Sequence, residues 1–171
     1  MLAGLAANQT RLVPMTPRLL AAELAGRDEL THALGAVVPW DWPPQTWDRD
    51  ALTWLRGHLD AHPEEVGWWG AYLVSHDEVL VGILGLKGPP KDGEVEIGYT
   101  LVESSYGMGY ATDAVETIVE ACGARDDIDR VVIHTLDDGA ASLAVAHRAG
   151  FRDDGRGADP GTHRFVRRVT P

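Results

Sequence analysis

Residues 101–114 read LVESSYGMGYATDA, and they place a Gly-x-Gly turn at Gly107 and Gly109 between two regular segments. Upstream, residues 94–101 alternate polar and apolar side chains, which is typical of a half-buried strand. Downstream, apolar residues recur at the spacing of a helix with one buried stripe, and Gly123 suits its end. The stripe comprises Ala111, Ala114, Val115, Ile118, Val119 and Cys122. The turn is therefore predicted to connect a strand directly to the N-terminus of a helix.

Such a junction is suited to binding a phosphate. The first N–H groups of a helix have no partner inside the helix, and the helix dipole adds partial positive charge there. Two other phosphate loops do not fit: a Walker loop needs Lys where Tyr110 stands, and a dinucleotide fingerprint needs Gly or Ala where Thr112 stands. A flexible turn without a ligand remains an alternative interpretation of this motif alone.

Length and composition predict a single domain over residues 1–171. The chain is 44% hydrophobic, and its length is close to the usual size of one domain. No apolar run approaches the roughly 18 residues of a membrane span, and the N-terminus lacks a basic signal segment. We therefore expect a cytoplasmic protein that does not associate with membranes. The single cysteine, Cys122, is expected to be a small core residue.

The net charge of −11 argues against binding to a nucleic-acid backbone. An amine substrate would be attracted to such a surface. The alternative interpretation is that the acidic surface only aids solubility.

Strand-like and helix-like segments alternate along the chain, which indicates an α/β arrangement around one mixed sheet. Strands are expected at residues 10–15, 67–75, 79–86, 94–102, 130–136, from 151, and 162–169. Helices are expected from residue 17, near 28–34, from 48, up to 123, and at 140–149.

Three motifs resemble the GNAT superfamily of acetyl-CoA-dependent N-acetyltransferases, and especially its RimJ/RimL-type branch, which acetylates the N-termini of ribosomal proteins. The strand reads EIGY at residues 96–99, and the turn reads GMGYATDA at residues 107–114. Ser142, Gly150 and Phe151 then match a serine, helix and Gly-Phe pattern. The likeness covers nearly the whole chain, but its specific residues lie between 94 and 151.

This resemblance implies one GNAT-like domain of the α/β (α+β) class. Its central sheet would be mixed and mostly antiparallel, with about seven strands splayed between the fourth and fifth and flanked by about four helices. Acetyl-CoA would be the co-substrate, with its pantetheine arm between the splayed strands, its pyrophosphate on the N–H groups of residues 106–111, and an oxyanion donor near Leu101 or Val102. The implied cofactor-binding residues are Leu101, Val102, Tyr106, Gly107, Met108, Gly109, Tyr110, Ala111, Thr112 and Ser142.

Glu96 is the preferred catalytic base. Glu94 and Glu96 are two residues apart and share one face of their strand, and a partly buried carboxylate is expected to have a raised pKa. Both carboxylates could instead be ordinary solvent-facing positions. Ser142 is the second catalytic candidate, as a hydrogen-bond partner of the thiolate or pantetheine, although a serine near a helix start is often only a cap. No metal is expected, because no group of His, Cys or carboxylate residues has ligand spacing.

An aromatic and acidic loop is the candidate acceptor site. Trp40, Asp41 and Trp42, with Trp47 nearby, could hold an amine by stacking, cation–π contact and charge. Packing in the core or in a dimer contact is the alternative. Glu94 and His134 complete the acceptor candidates, and a purely structural role is the alternative interpretation of His134.

Three positions depart from the family pattern: Ser104 replaces a Gln or Arg, Gly139 replaces an Asn, and Ala146 stands where many members carry a tyrosine acid. The leading hypothesis is an N-acetyltransferase that moves an acetyl group directly, in a ternary complex, to a protein N-terminus or a small-molecule amine. The alternative is a non-catalytic acyl-CoA-binding sensor or scaffold. A monomer or homodimer is expected in either case.

Overall fold

The computed structural model describes residues 1–45, 47–157 and 159–169. Seven strands and five α-helices form within these ranges, at the positions that the sequence patterns predict. The strands are β1 (Thr10–Pro14), β2 (Ala71–Ser75), β3 (Leu80–Leu86), β4 (Glu94–Leu101), β5 (Arg130–Leu136), β6 (Arg152–Arg156) and β7 (Thr162–Arg168). The helices are α1 (Pro17–Ala25), α2 (Arg27–Leu34), α3 (Arg49–Ala61), α4 (Tyr110–Gly123) and α5 (Ala140–Arg148).

The five α-helices among the described residues agree with the five helical segments that the sequence pattern predicts, whereas the family resemblance implies about four, and α1 and α2 are separate. The N–H of Gly26 donates to the carbonyl of Ala22 and closes α1, and the next residue begins α2. Thr16 caps the start of α1 through its side-chain oxygen, which accepts from the N–H of Leu19 at 3.3 Å. Each helix within the described ranges is too short or too polar to span a bilayer.

The seven strands form one mixed sheet in the order β1-β2-β3-β4-β5-β7-β6. β4 and β5 run parallel, whereas the other neighbouring pairs are antiparallel. The parallel pairing covers only residues 94–96 against 130–132, although both strands continue for several residues. The expected splay between the fourth and fifth strands is therefore confirmed.

Apolar side chains cover both faces of the sheet. On one face, α4 and α5 pack against residues such as Ile97 and Phe165. On the other face, α1, α2 and α3 pack against residues such as Tyr72 and Ile83. Cys122 lies in the first of these cores, as expected, and burial raises the pKa of its thiol to about 12, so it is not a thiolate nucleophile at neutral pH. The splayed end of β4 is left between the two layers.

Candidate active site

A cavity of about 330 Å³ lies where β4 has separated from β5. Three parts of the chain form its walls: the last residues of β4, the glycine turn with the start of α4, and one face of α5. The lining residues are Tyr99, Thr100, Leu101, Tyr106, Gly107, Gly109, Ala111, Thr112, Ala141, Ser142, Ala144, Val145 and Arg148. Most of the cofactor-binding residues predicted from the sequence therefore meet at one place. We call this space the donor cavity.

The glycine turn presents a row of free N–H groups to the donor cavity. Gly107 and Gly109 have φ values of 75° and 88°, in the left-handed region that favours glycine. Within the described part of the chain, no group accepts a hydrogen bond from the N–H of any residue from 107 to 112. The N–H of Tyr106 donates to the carbonyl of Glu103 at 3.1 Å. The N–H groups predicted to bind the pyrophosphate are those of residues 106–111, whereas the free ones belong to residues 107–112. The difference arises because the N–H of Tyr106 closes the short helical turn at Glu103–Ser105.

The predicted role of Val102 as an oxyanion donor is wrong. Its N–H donates to the carbonyl of Val81 on β3 at 3.1 Å, and its side chain is buried. In an antiparallel pair, successive N–H groups point alternately toward and away from the partner strand. The N–H of Leu101 therefore points away from β3, into the gap left by β5. Leu101 alone keeps the predicted role.

Ser142 is the third residue of α5 and is not the N-terminal cap of this helix. Gly139 is the N-terminal cap and makes no side-chain capping bond, so the alternative interpretation of Ser142 as a cap does not hold. The carbonyl of Ser142 accepts a hydrogen bond from the hydroxyl of Tyr99 at 3.1 Å. Burial raises the pKa of Tyr99 to about 12, so this bridge across the splayed strands keeps its proton at neutral pH. Tyr99 thus fixes the face of α5 that carries Ser142.

Two departures from the family pattern have a structural reason. A Cβ at Gly139 would come within 2.9 Å of the side-chain oxygen of Thr135, so the packing there accommodates only glycine without a shift. Ala146 is fully buried in the core and does not line the donor cavity. A larger side chain at position 146 would therefore meet the core rather than the reacting groups.

Arg148 is a residue that the sequence interpretation missed. It follows Ala141, Ala144 and Val145 at helical spacing, and among the described residues it is the one charged residue that lines the donor cavity. Its guanidinium has no hydrogen bond or ion pair to any described residue. The helical spacing of residues 141, 144, 145 and 148 puts Arg148 on the same side of α5 as Ser142, and this spacing is the signal in the sequence that would have identified it.

The first turn of α4 is attached to the N-terminal segment. The carboxylate of Asp113 accepts from the backbone N–H and side-chain amide of Asn8, at 3.2 and 2.9 Å, and from the backbone N–H of Gln9 at 2.8 Å. Asp113 is buried, with 7% of its surface exposed. Residues 8 and 9 therefore hold the helix end that presents its free N–H groups to the donor cavity.

Glu96 lies at the last paired residue of β4, where the splay begins. Its Oε1 is buried, forms an ion pair with Lys87 and lies 3.1 Å from Nδ1 of His134. Burial by itself would raise the pKa of Glu96, but these two neighbours outweigh it, and the net shift is downward. The expectation of a raised pKa is wrong for this reason. Glu96 is ionised at neutral pH.

Glu94 and His134 have defined partners. Oε2 of Glu94 accepts from Arg130 at 3.1 Å and from Arg164 at 2.6 Å. Glu94 therefore belongs to an ion-pair group on the sheet surface, whereas His134 faces Glu96 across the parallel pair.

The aromatic loop divides between surface and core. Trp40 is 79% exposed, whereas Trp42 is buried in the core beneath α1. The indole N–H groups of Trp42 and Trp47 both donate to Oε1 of Glu23 at 3.0 Å, and the hydroxyl of Tyr72 donates to its Oε2 at 2.5 Å. Burial raises the pKa of Glu23 despite these three bonds. The predicted acceptor role of Trp42 thus gives way to the alternative of core packing.

Replacing Glu23 with alanine is expected to destabilise the fold by about 3 kcal/mol, because it leaves three donors unpaired at the edge of the core. Urea unfolding followed by circular dichroism measures the loss. Glu29→Ala on the exposed side of α2 is the control and should change the free energy of unfolding by less than about 0.5 kcal/mol. Equal effects of the two substitutions would contradict the role of Glu23.

Asp41 connects the aromatic loop to the turn before the donor cavity. Its carboxylate accepts from the backbone N–H of Ser104 at 2.9 Å and from the hydroxyl of Ser104 at 3.2 Å. Burial opposes ionisation, but these bonds lower the pKa of Asp41 below its usual range. Asp41 therefore anchors the loop at Ser104, one of the positions that depart from the family pattern.

A second cavity, of about 450 Å³, lies on the opposite side of β4 from α5, beneath the helices α1 to α3. It shares Tyr99 and Thr100 with the donor cavity. Trp47 and Trp69 line it, together with Lys87 and Gly98. We call this space the acceptor cavity. Trp40, Asp41 and Trp42 are absent from its walls, and so are Glu94 and His134.

One group of potential metal ligands was overlooked in the sequence. His62, Glu64 and Glu65 bring one ligand atom each within 4.8 Å of one another. Oε2 of Glu65 already accepts from the indole of Trp69 at 2.6 Å and contacts Nε2 of His58 at 2.7 Å. The group is exposed at His62 and Glu64, and we assign it no metal.

The known proteins that this chain is similar to in sequence are acetyltransferases. The family described as acetyltransferase (GNAT) domain matches residues 11–152. The ribosomal-protein-serine acetyltransferase of Escherichia coli (strain K12) is 25% identical over 121 residues, which cover 63% of this chain and 66% of that protein.

Two solved structures show the same fold. RimL, a ribosomal L7/L12 alpha-N-protein acetyltransferase in complex with coenzyme A, is 21% identical, with a TM-score of 0.66 over 95% of this chain and 96% of its own. Spermidine N-acetyltransferase from Vibrio cholerae, in complex with CoA and spermine, is 12% identical, with a TM-score of 0.66 over 94% of this chain and 96% of its own.

Proposed function

Because this chain belongs to the GNAT acetyltransferase family, we propose that it transfers the acetyl group of acetyl-CoA to a primary amine. The acceptor is a protein N-terminus or a small-molecule amine, and the transfer is direct, within a ternary complex. The observation that carries this proposal is that Tyr99 and Thr100 line both the donor cavity and the acceptor cavity. Two substrates bound in these cavities would be held next to each other, as direct transfer requires.

The free N–H groups of the glycine turn support binding of the CoA pyrophosphate. Those of residues 107–112 lack acceptors among the described residues, and they lie at the positive end of α4. The gap between β4 and β5 has room for an extended arm, and the N–H of Leu101 points into it. These features fit acetyl-CoA, which supplies an activated thioester carbonyl.

The reaction needs a neutral amine, an oxyanion donor and a proton for the leaving sulfur. The amine nitrogen attacks the thioester carbonyl, a C–N bond forms, and the C–S bond breaks. Glu96, ionised at neutral pH, receives the ammonium proton, directly or through water. The N–H of Leu101 stabilises the oxyanion. The proton that the nitrogen loses once the C–N bond has formed passes to the departing sulfur, which accepts a hydrogen bond from the hydroxyl of Ser142 and leaves as the thiol.

The names of the relatives support enzymatic activity rather than the non-catalytic alternative. The E. coli relative is named for a ribosomal-protein serine and the V. cholerae structure for spermidine, so both kinds of amine acceptor occur among similar proteins. A relative that acts on ribosomal protein also supports a cytoplasmic location for this chain. We propose a monomer or homodimer, which size-exclusion chromatography with light scattering would measure; a larger assembly would contradict it.

The decisive experiment measures thiol release from acetyl-CoA in the presence of amines, N-terminal peptides and aminoglycosides. Release that depends on both the enzyme and one of the amines supports the proposal. Tight CoA binding with no release from a broad panel would instead establish the sensor.

Arg148→Ala is expected to weaken CoA binding about tenfold, because it removes the one cation that lines the donor cavity. Titration calorimetry with CoA at two salt concentrations measures the change, and the salt dependence of the affinity should decrease with it. Arg18→Ala, at an exposed arginine of α1, is the matched control and should bind CoA like the parent protein. Unchanged affinity in Arg148→Ala would remove this residue from the site.

A further inference from the structure

We infer that the acceptor amine carries an apolar group, preferably an aromatic one, and no second positive charge. This inference rests on the proposed function and concerns the acceptor cavity. Its volume of about 450 Å³ falls in the usual range for small-ligand sites. Membership of the family does not distinguish between classes of amine acceptor, whereas the chemistry of the cavity walls does.

The walls are aromatic and aliphatic on most sides. Trp47 comes from the aromatic loop, Trp69 from the segment before β2, and Met15 and Ile83 from beneath α1. Such surfaces favour a ligand with an apolar body, because contact removes apolar surface from water on both partners.

Both indole rings are held in place by carboxylates. The N–H of Trp47 donates to Glu23 at 3.0 Å, and the N–H of Trp69 donates to Glu65 at 2.6 Å. The ring of Trp69 also meets His58 edge to face, with centroids 4.9 Å apart. Because their one polar atom is already bonded, the rings offer the cavity only carbon surface. They are also fixed before any ligand binds, which lowers the ordering cost of binding.

At Gly98, the floor of the acceptor cavity carries no side chain. A Cβ there would have one neighbour, Cε of Lys87 at 3.8 Å, and the backbone lies outside the left-handed region. Neither packing nor conformation therefore requires glycine at this position. Its effect is to leave space on the same face of β4 as Glu96, two residues away, so a ligand on this floor lies beside the proposed base.

The charge of the cavity opposes diamines. Lys87 is the one charged residue among those described that line it, and its ammonium pairs with Glu96. The walls include no carboxylate. Glu96 does not line the cavity but lies two residues from Gly98 on the same face of β4, so one ammonium at the floor would lie near it. A second ammonium would lie against apolar walls or near Lys87, where its loss of hydration is not compensated.

Three amines test this inference through kcat/KM for acetyl transfer. n-Butylamine and putrescine share a four-carbon chain and differ in the second ammonium, and 2-phenylethylamine adds an aromatic ring. We expect 2-phenylethylamine to exceed n-butylamine at least tenfold, and n-butylamine to exceed putrescine at least tenfold. Putrescine equal to or better than n-butylamine would overturn the inference while leaving the proposed function intact. The proposed function itself would be overturned by the absence of thiol release with every amine and peptide of the broad panel.

Gly98→Ala is the test within the protein. The added methyl group fills the floor, and KM for 2-phenylethylamine should rise about tenfold, while CoA-induced thermal stabilisation stays unchanged and shows that the donor cavity is intact. Gly57→Ala is the matched control, because a Cβ there meets nothing within 4 Å and the residue lies on α3 away from both cavities. An unaltered KM in Gly98→Ala would overturn the placement of the acceptor.

Discussion

Replacing Gly107 with glutamate abolishes the thermal stabilisation that CoA gives the parent protein. The substitution puts a carboxylate beside the free N–H groups that we assign to the pyrophosphate, and it forces a side chain onto a residue with φ of 75°. At a ligand concentration of 100 Kd the lost stabilisation is about 2.7 kcal/mol. For a chain of this length, that corresponds to roughly 5–10 °C in Tm. Differential scanning fluorimetry with and without CoA measures it.

Gly161→Glu controls for strain and charge. Gly161 has a φ of 77° and, like Gly107, has open space around the position of an added Cβ. It precedes β7 and does not line the donor cavity. Both variants should lose similar intrinsic stability, but only Gly107→Glu should lose the response to CoA. A normal CoA response in Gly107→Glu would contradict the placement of the donor.

Glu96→Gln lowers kcat/KM about 100-fold near pH 7 and leaves CoA affinity unchanged. Removing a positioned general base typically costs a factor of this size. The lowered pKa of Glu96 keeps the parent carboxylate ionised throughout the neutral range, so the acid limb of its pH–rate profile follows protonation of the amine. The deficit of the variant should therefore shrink as pH rises toward the pKa of the amine, where the base is no longer needed. Initial rates from pH 6 to 10 measure it.

Glu94→Gln is the matched control on the same face of β4. Its carboxylate is paired with Arg130 and Arg164, and Glu94 lies four residues from Gly98 on the floor of the acceptor cavity, against two for Glu96, so the rate should fall less than threefold. Equal losses in the two variants would point to a general electrostatic effect of the strand. A pH-independent deficit in Glu96→Gln would remove Glu96 from the role of base.

The order of elements and the donor site could be predicted from sequence because both depend on local patterns. Periodicity located the strands and helices, and with them the glycine pair at a junction where the first N–H groups of a helix have no partner inside the helix. Roles that depend on contacts distant in sequence could not be read in this way. Which of Leu101 and Val102 offers a free N–H depends on the register of β4 with β3. Trp42 turns inward, where its indole N–H donates to Glu23 on α1, a contact distant in sequence.

The pKa of Glu96 illustrates the same difference. Alternation along β4 predicted a half-buried carboxylate, and burial alone would indeed raise its pKa. Lys87 and His134 come from two other strands or their ends, and only the assembled sheet brings them to Glu96. The sequence of β4 alone therefore could not predict that the pKa of Glu96 is lowered rather than raised.

The attachment of Asn8 and Gln9 to Asp113 makes the N-terminal segment a thermodynamic partner of the phosphate site. If the N-terminal segment detaches, the carboxylate of Asp113 loses its three hydrogen-bond donors. This carboxylate lies at the end of α4 where the phosphate would bind, so its uncompensated negative charge opposes that ligand. Attachment and CoA binding therefore favour each other, and the coupling free energy is the same in both directions. Saturating CoA consequently slows amide hydrogen exchange in residues 1–9, none of which lines the donor cavity.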